Sequence, residues 1–157
     1  MYFLNPSYGK VSLDDINEHI KAYLKEDPKA TYKVVIGTDS KTTQKCSIIV
    51  TAFIIHRVGK GARFYYQKVK SKPLIDLRYR IYKETELSLT VMDQLKQHGI
   101  TDLLADWPIE IHLDVGQQGE TRKLIQEVVG WVTSVGYVAK IKPNAYGASA
   151  VADKYTR

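Results

Sequence analysis

The sequence predicts an α/β domain covering residues 1–157. Its expected framework is a five-stranded mixed sheet: three strands in an antiparallel meander, then helix, strand, helix, strand and helix, with residues 1–30 as a helical extension in front. Three observations support this. Strand-like runs between residues 32 and 72 are joined by short turn-forming links. Beyond Pro73 the apolar period becomes helical and alternates with two further strand-like runs. With 157 residues, 44% of them hydrophobic, the chain can bury one sizeable core.

The elements follow in order. Ser12-Leu13-Asp14-Asp15 resembles a capping box, and Leu13, Ile16, Ile20, Tyr23 and Leu24 form the apolar stripe of a helix that stops before Pro28. Residues 32–39, 46–57 and 62–72 read as the meander strands, with Gly59-Lys60-Gly61 as the tight connection. Pro73 is expected to open a long helix that runs to about His98, where Gly99 supplies the stop. Trp107-Pro108 leads into a fourth strand at 109–115. Thr121 can cap the next helix, whose Leu124, Ile125, Val128, Val129, Val132 and Val135 have core spacing and which ends at Gly136. The fifth strand is Tyr137 to Lys142, and 146–153 reads as a short terminal helix.

Composition narrows the function classes. No apolar stretch is long enough to span a bilayer, and the first residues lack the regions of a signal peptide, so a cytoplasmic protein is expected. Cys46 is the only cysteine, which excludes an internal disulfide and a thiolate zinc cluster. The formal charge of +6 is concentrated between Arg63 and Lys83, where Arg63, Lys68, Lys70, Lys72, Arg78, Arg80 and Lys83 face a single acid, Asp76. Tyr65, Tyr66, Tyr79 and Tyr82 interleave with these cations and offer stacking faces, a pattern that suits a polyanion such as nucleic acid. The alternative is a solvated strand edge whose period-two lysines discourage aggregation.

Acidic residues carry the chemistry. Asp39 ends the run Val34-Val35-Ile36 within Gly37-Thr38-Asp39-Ser40, and Asp114 ends Ile109-Glu110-Ile111-His112-Leu113. A carboxylate delivered by a buried strand needs a cation or hydrogen bonds to compensate it. Taken singly, either aspartate reads as a strand-end turn residue; as a pair on neighbouring strands they point to a metal. On the long helix, Leu77, Ile81, Ser88, Val91 and Leu95 lie within roughly 60° of Glu84 at about 100° per residue, whereas Glu86 lies opposite. Glu84 is therefore the candidate facing the sheet, the alternative being an ion pair with Arg or Lys.

The motifs Ile36-Gly37-Thr38-Asp39-Ser40, His112-Leu113-Asp114-Val115-Gly116, Gly119-Glu120-Thr121-Arg122 and the ending Lys142-Pro143…Ala148-Ser149…Lys154-Tyr155-Thr156-Arg157 resemble the YkuK-type family of bacterial ribonuclease H-like proteins over nearly the whole chain. The order of elements is that of the ribonuclease H-like fold. The resemblance implies a carboxylate cluster from the first strand, the helix after the meander, the fourth strand and the last helix. Asp39, Glu84, Asp114 and Asp153 occupy those places. Asp153 also reads as a surface residue, although an acid late in a helix opposes the macrodipole and favours a compensating cation.

An all-oxygen set of this kind favours Mg²⁺ or Mn²⁺. Two ions about 4 Å apart would suit phosphodiester hydrolysis, with Asp39 bridging, Glu84 and Asp114 completing one site and Asp153 the other. His112 shares the face of Asp114 by alternation and, with Ser40, is a candidate to orient a ligand; a hydrogen-bonded core histidine is the alternative. Thr121 and Arg122, at a helix start after a glycine-bearing loop, are candidates for phosphate contact, as are Lys68, Lys70, Lys72, Arg78 and Arg80. Two expectations follow. One is a divalent-metal-dependent nuclease acting on RNA, DNA or a hybrid; the other is a non-catalytic nucleic-acid-binding or protein-interaction module on the same fold.

Overall fold

A computed structural model describes residues 2–115, 122–142 and 155–156. Its elements are β1 (Phe3–Asn5), β2 (Gly9–Val11), α1 (Leu13–Glu26), β3 (Tyr32–Thr42), β4 (Ser47–Arg57), β5 (Ala62–Ser71), α2 (Leu77–Gln97), α3 (Ile100–Leu103), β6 (Ile109–His112), α4 (Arg122–Ser134) and β7 (Val138–Lys140). They form one sheet of order β2-β1-β5-β4-β3-β6-β7. The five expected strands are present side by side, with β3, β4 and β5 as the antiparallel meander and β6 and β7 added in parallel.

The sheet nonetheless has seven strands, not five. The two extra ones make a hairpin within the segment expected to be a helical extension, and Leu4 of β1 pairs with Tyr66 of β5. Three-residue strands carry too few alternations to be seen by period. What holds the hairpin is local turn chemistry: Asn5 Oδ1 accepts from the backbone N–H of Ser7 at 2.8 Å and of Tyr8 at 3.0 Å. Asn5 Nδ2 then donates to the Phe64 carbonyl at 3.0 Å and ties the turn to β5.

The helix boundaries follow from their caps. Ser12 and Asp15 form a reciprocal capping box at 2.9 and 3.0 Å, so α1 starts where the sequence indicates. The long helix begins at Leu77 rather than Pro73. Leu74 is buried and its N–H donates to Ser47 Oγ at 2.9 Å, which holds the chain extended until Asp76 takes the cap position. Gly99, with φ of 76°, adopts the left-handed conformation that ends α2. The short α3 was not expected; it buries Ile100 and is followed by buried Leu104. Val135, counted above as core-spaced, is 50% exposed beyond the end of α4.

Strand alternation divides the sheet into two faces. Val34, Ile36, Phe53, Ile55, Tyr65 and Ile111 point to one of them, where they join buried residues of α1, α2, α3 and α4 in a single core. Each fully buried aliphatic or aromatic side chain there contributes roughly 1.5–3 kcal/mol. Val35, Ile54 and Phe64, and Ile48, Val50, Ala52 and Tyr66, point to the opposite face. On that second face Tyr155 stacks over Tyr66, with ring centroids 3.9 Å apart.

Candidate functional site

The parallel pairing of β3 with β6 ends at Gly37 opposite His112. Asp39 and Asp114 each stand two residues beyond that last paired row, at equivalent positions on adjacent strands. Two residues restore the same face, so Asp39, within β3, belongs to the second face with Gly37 and its partner His112, whereas Asp114 lies just past β6 in a tight turn whose Val115 N–H donates to the Leu113 carbonyl at 2.8 Å. The arrangement lies at the carboxyl ends of the parallel strands, the place where open α/β sheets bind ligands. β6 is shorter than the expected 109–115 because Leu113 and Val115 bond to the β7 side instead: Leu113 N–H donates to the Lys140 carbonyl at 2.8 Å, and Lys142 N–H to the Val115 carbonyl at 2.9 Å.

α2 is docked beside this end of β3 by matched spacing. Glu84 and Ser88 are four residues apart on the helix, a rise of about 6 Å. Thr38 and Ser40 are two apart on the strand, about 6.8 Å. Thr38 Oγ1 is 2.8 Å from both Ser88 Oγ and Thr51 Oγ1, and Ser40 Oγ donates to Glu84 Oε2 at 2.5 Å. The two contacts set the helix against the strand. Glu84 is consequently buried, at 7% exposure, while Glu86 is exposed and pairs with Lys83 at 3.1 Å. A small cavity of about 10 Å³ beside Glu84, lined by Thr38, Thr85, Ser88 and Asp114 among others, has room for about one water.

Burial pushes the Glu84 carboxyl up to about 7. The Ser40 hydrogen bond and the Arg80 guanidinium oppose the shift, whereas the negative charges of Asp39 and Asp114 add to it. The ion-pair alternative for Glu84 has a partner in Arg80, yet Arg80 Nε is 4.0 Å away and makes no hydrogen bond among the described residues. Asp114 is engaged more closely, with its Oδ1 2.6 Å from Lys142 Nζ. Among the described residues, no group of three or more His, Cys, Asp or Glu side chains is assembled closely enough to hold a metal ion. The donor set still suits a hard divalent cation. Its candidate donor atoms are carboxylate oxygens, and Glu84 is a buried acid whose charged form lacks full compensation.

The other candidates divide. His112 is 3% exposed, its Nε2 lies 3.0 Å from Glu110 Oε1, and burial lowers its pKa. Its Nδ1 has no hydrogen-bond partner among the described residues. Lys68, Lys70 and Lys72 are exposed at the end of β5. Arg78 instead pairs with Glu127 at 2.9 Å, alongside a Tyr82 hydroxyl bonded to the same carboxylate, so it clamps α2 to α4. Of the tyrosines expected to offer stacking faces, Tyr65 is buried in the core, where desolvation raises its pKa to about 12, and Tyr66 is already stacked on Tyr155. Tyr79 is 57% exposed. Arg122 is exposed at the start of α4. Thr121, Asp153 and the expected terminal helix at 146–153 lie outside the described residues.

Sequence reasoning used Lys142 only as a strand end and within the Lys142-Pro143 motif, with no site role, and did not single out Lys41. Lys142 sat at a strand end before a proline and had no sequence-local partner. Lys41 was legible in principle, because it follows Asp39 at period two.

A family model for ribonuclease H-like proteins matches residues 15–157. The chain belongs to the ribonuclease H-like family. It is also 39% identical to the uncharacterized protein YkuK of Bacillus subtilis (strain 168), over 99% of this chain and 96% of the relative, so it is a YkuK-type member. No solved structure matches it. Ribonuclease H-like proteins typically use divalent metals and are associated with nucleic acid, which points to a nuclease or nucleic-acid-related function. Among the described residues, no helix is long and apolar enough to cross a membrane.

Proposed function

We propose that this protein is a divalent-metal-dependent nuclease that hydrolyses phosphodiester bonds of RNA, DNA or a hybrid. The observation that carries the reading is the equivalent placement of Asp39 and Asp114, each two residues beyond the last β3–β6 pair, next to buried Glu84. Asp39, Glu84 and Asp114, with Asp153 from the C-terminal segment, would hold Mg²⁺ or Mn²⁺. The ion would supply Lewis-acid polarisation of the phosphate and a nucleophilic water at neutral pH.

The chain's own groups have separate tasks. Ser40 orients the Glu84 carboxylate through its 2.5 Å hydrogen bond. His112, buried and neutral next to Glu110, orients groups on the Asp114 side. Lys68, Lys70 and Lys72 attract the phosphodiester backbone, with Arg80, Thr121 and Arg122 as further contacts. Arg78 belongs to this set only if it leaves Glu127.

A second reading is a nucleic-acid-binding module without turnover. The Lys142–Asp114 pair at 2.6 Å favours it, because a protein cation already compensates one of the carboxylates. Incubation with labelled single-stranded RNA, single- and double-stranded DNA, an RNA/DNA hybrid and a branched DNA, with Mg²⁺, Mn²⁺ or chelator, decides between the two. Cleavage that needs metal and vanishes in Asp39→Asn is the expected result. Salt-sensitive binding without cleavage by the folded wild type would leave the binding module.

A further inference from the structure

The sheet register puts basic residues on both sides of the carboxylates. Asp39 pairs with Val50, and Val50 with Lys68, so Lys68 lies in the same cross-strand row as Asp39. In the next row Lys41 pairs with Ile48, and Ile48 with Lys70. On the opposite flank Lys140 pairs with His112 on β7, and Lys142 follows two residues later, against Asp114. Alternation assigns Lys41, Lys68, Lys70 and Lys140 to the second face with Asp39; α1 to α4 are absent from that face and Tyr155 packs on it against Val50 and Tyr66, while Lys142 joins the lysines through its 2.6 Å contact with Asp114. Because β3, β5, β6 and β7 all run in one direction, these lysines gather along a single carboxyl-end edge. From β5 to β7 that edge spans four strand spacings, roughly 19 Å at about 4.8 Å each.

We propose that a polynucleotide strand runs along this edge from Lys70 and Lys68, past Asp39 and Asp114, to Lys140, and that hydrolysis falls on internal phosphodiester bonds rather than on strand ends. The inference rests on the nuclease reading and specifies how its substrate lies. Charge complementarity argues for it. Residues 62–71 and 138–142, which form the two flanks, contain lysines and no acid. A site that reads a terminus needs cations on one side of the reacting bond; among the described residues they stand on both sides.

The test compares a covalently closed circular single strand with its linear counterpart, as RNA and as DNA, in Mg²⁺ and in Mn²⁺. Linearisation of the circle is expected. Trimming of the linear form with the circle intact overturns internal cleavage and leaves the nuclease reading standing. Cleavage of neither overturns both. Binding in chelator tests the path itself: Lys70→Gln and Lys140→Gln are each expected to lower the log–log salt slope by about 1. A change confined to one flank would contradict a strand that crosses the carboxylates.

Discussion

The two faces of the sheet are made by the same strands and put to opposite uses. On the helix-covered face, Ile36, Phe53, Ile55 and Ile111 are at most 1% exposed in a continuous apolar core. On the other face, the same β3 presents Val35 and Gly37, then Asp39 and Lys41, so its apolar character gives way to charge toward the carboxyl end. Period-two alternation lets one strand hold the fold together and carry charged groups at the same time. Glu84 is the exception: it reaches the carboxylate region from the helix-covered side and is buried there.

Substitutions separate the two faces. Asp39→Asn should give the largest functional change, loss of metal-dependent cleavage to background with an unaltered circular dichroism spectrum. A parallel loss of structure would make Asp39 a folding residue. Phe53→Ala should cost about 3–5 kcal/mol in urea unfolding, because it removes a ring from the centre of the helix-covered core. A cost below about 1 kcal/mol would mean that this core is not the main source of stability.

Glu84 gives a pH-dependent prediction. Its folded pKa of about 7 lies above the ordinary 4.5, so the folded state holds the proton more tightly. Stability from this group is complete below pH 4.5 and is lost as pH rises through about 7, a penalty on the order of 3 kcal/mol when fully developed. Glu84→Gln should therefore raise the Tm at pH 8 relative to wild type and bring little change at pH 5. Added Mg²⁺ or Mn²⁺ should stabilise wild type at pH 8 and not the variant. Equal Tm differences at both pH values would show that the carboxyl is not held at such a cost.

Lys142→Met removes a cation that competes for Asp114. The pair is partly exposed, so the gain is bounded by about 1 kcal/mol, or roughly fivefold tighter Mn²⁺ binding by calorimetry. Weaker binding would mean that Lys142 positions Asp114 for the ion rather than competing with it. Smallest in stability terms is Lys68→Ala, within about 0.5 kcal/mol of wild type, since its exposed side chain has no ion-pair partner among the described residues. Its effect should appear in the salt dependence of nucleic-acid binding.

Most of the framework was legible because it depends on local period and punctuation. The Ser12 box, Gly99, and the alternation of β3, β4 and β5 each act within a few residues. The hairpin of β1 and β2 escaped notice because three-residue strands show too few alternations, and the Asn5 turn and the Leu4–Tyr66 pairing that hold it appear only in the folded chain. The basic segment divides in the structure for a related reason. Charge counting treats Arg78 and Lys68 alike, but Arg78 meets Glu127 across the packed helices while Lys68 stays exposed beside Val50.

Periodicity within the chain was enough to choose Glu84 over Glu86 and to put Asp39 at a strand end, because both depend on which way neighbouring residues point. The equivalence of Asp39 with Asp114, the alignment of Lys68 with Asp39 and the closure of Lys142 on Asp114 came from strand order and register. Those relations join residues far apart in sequence, and local propensity carries no information about which distant strands become neighbours.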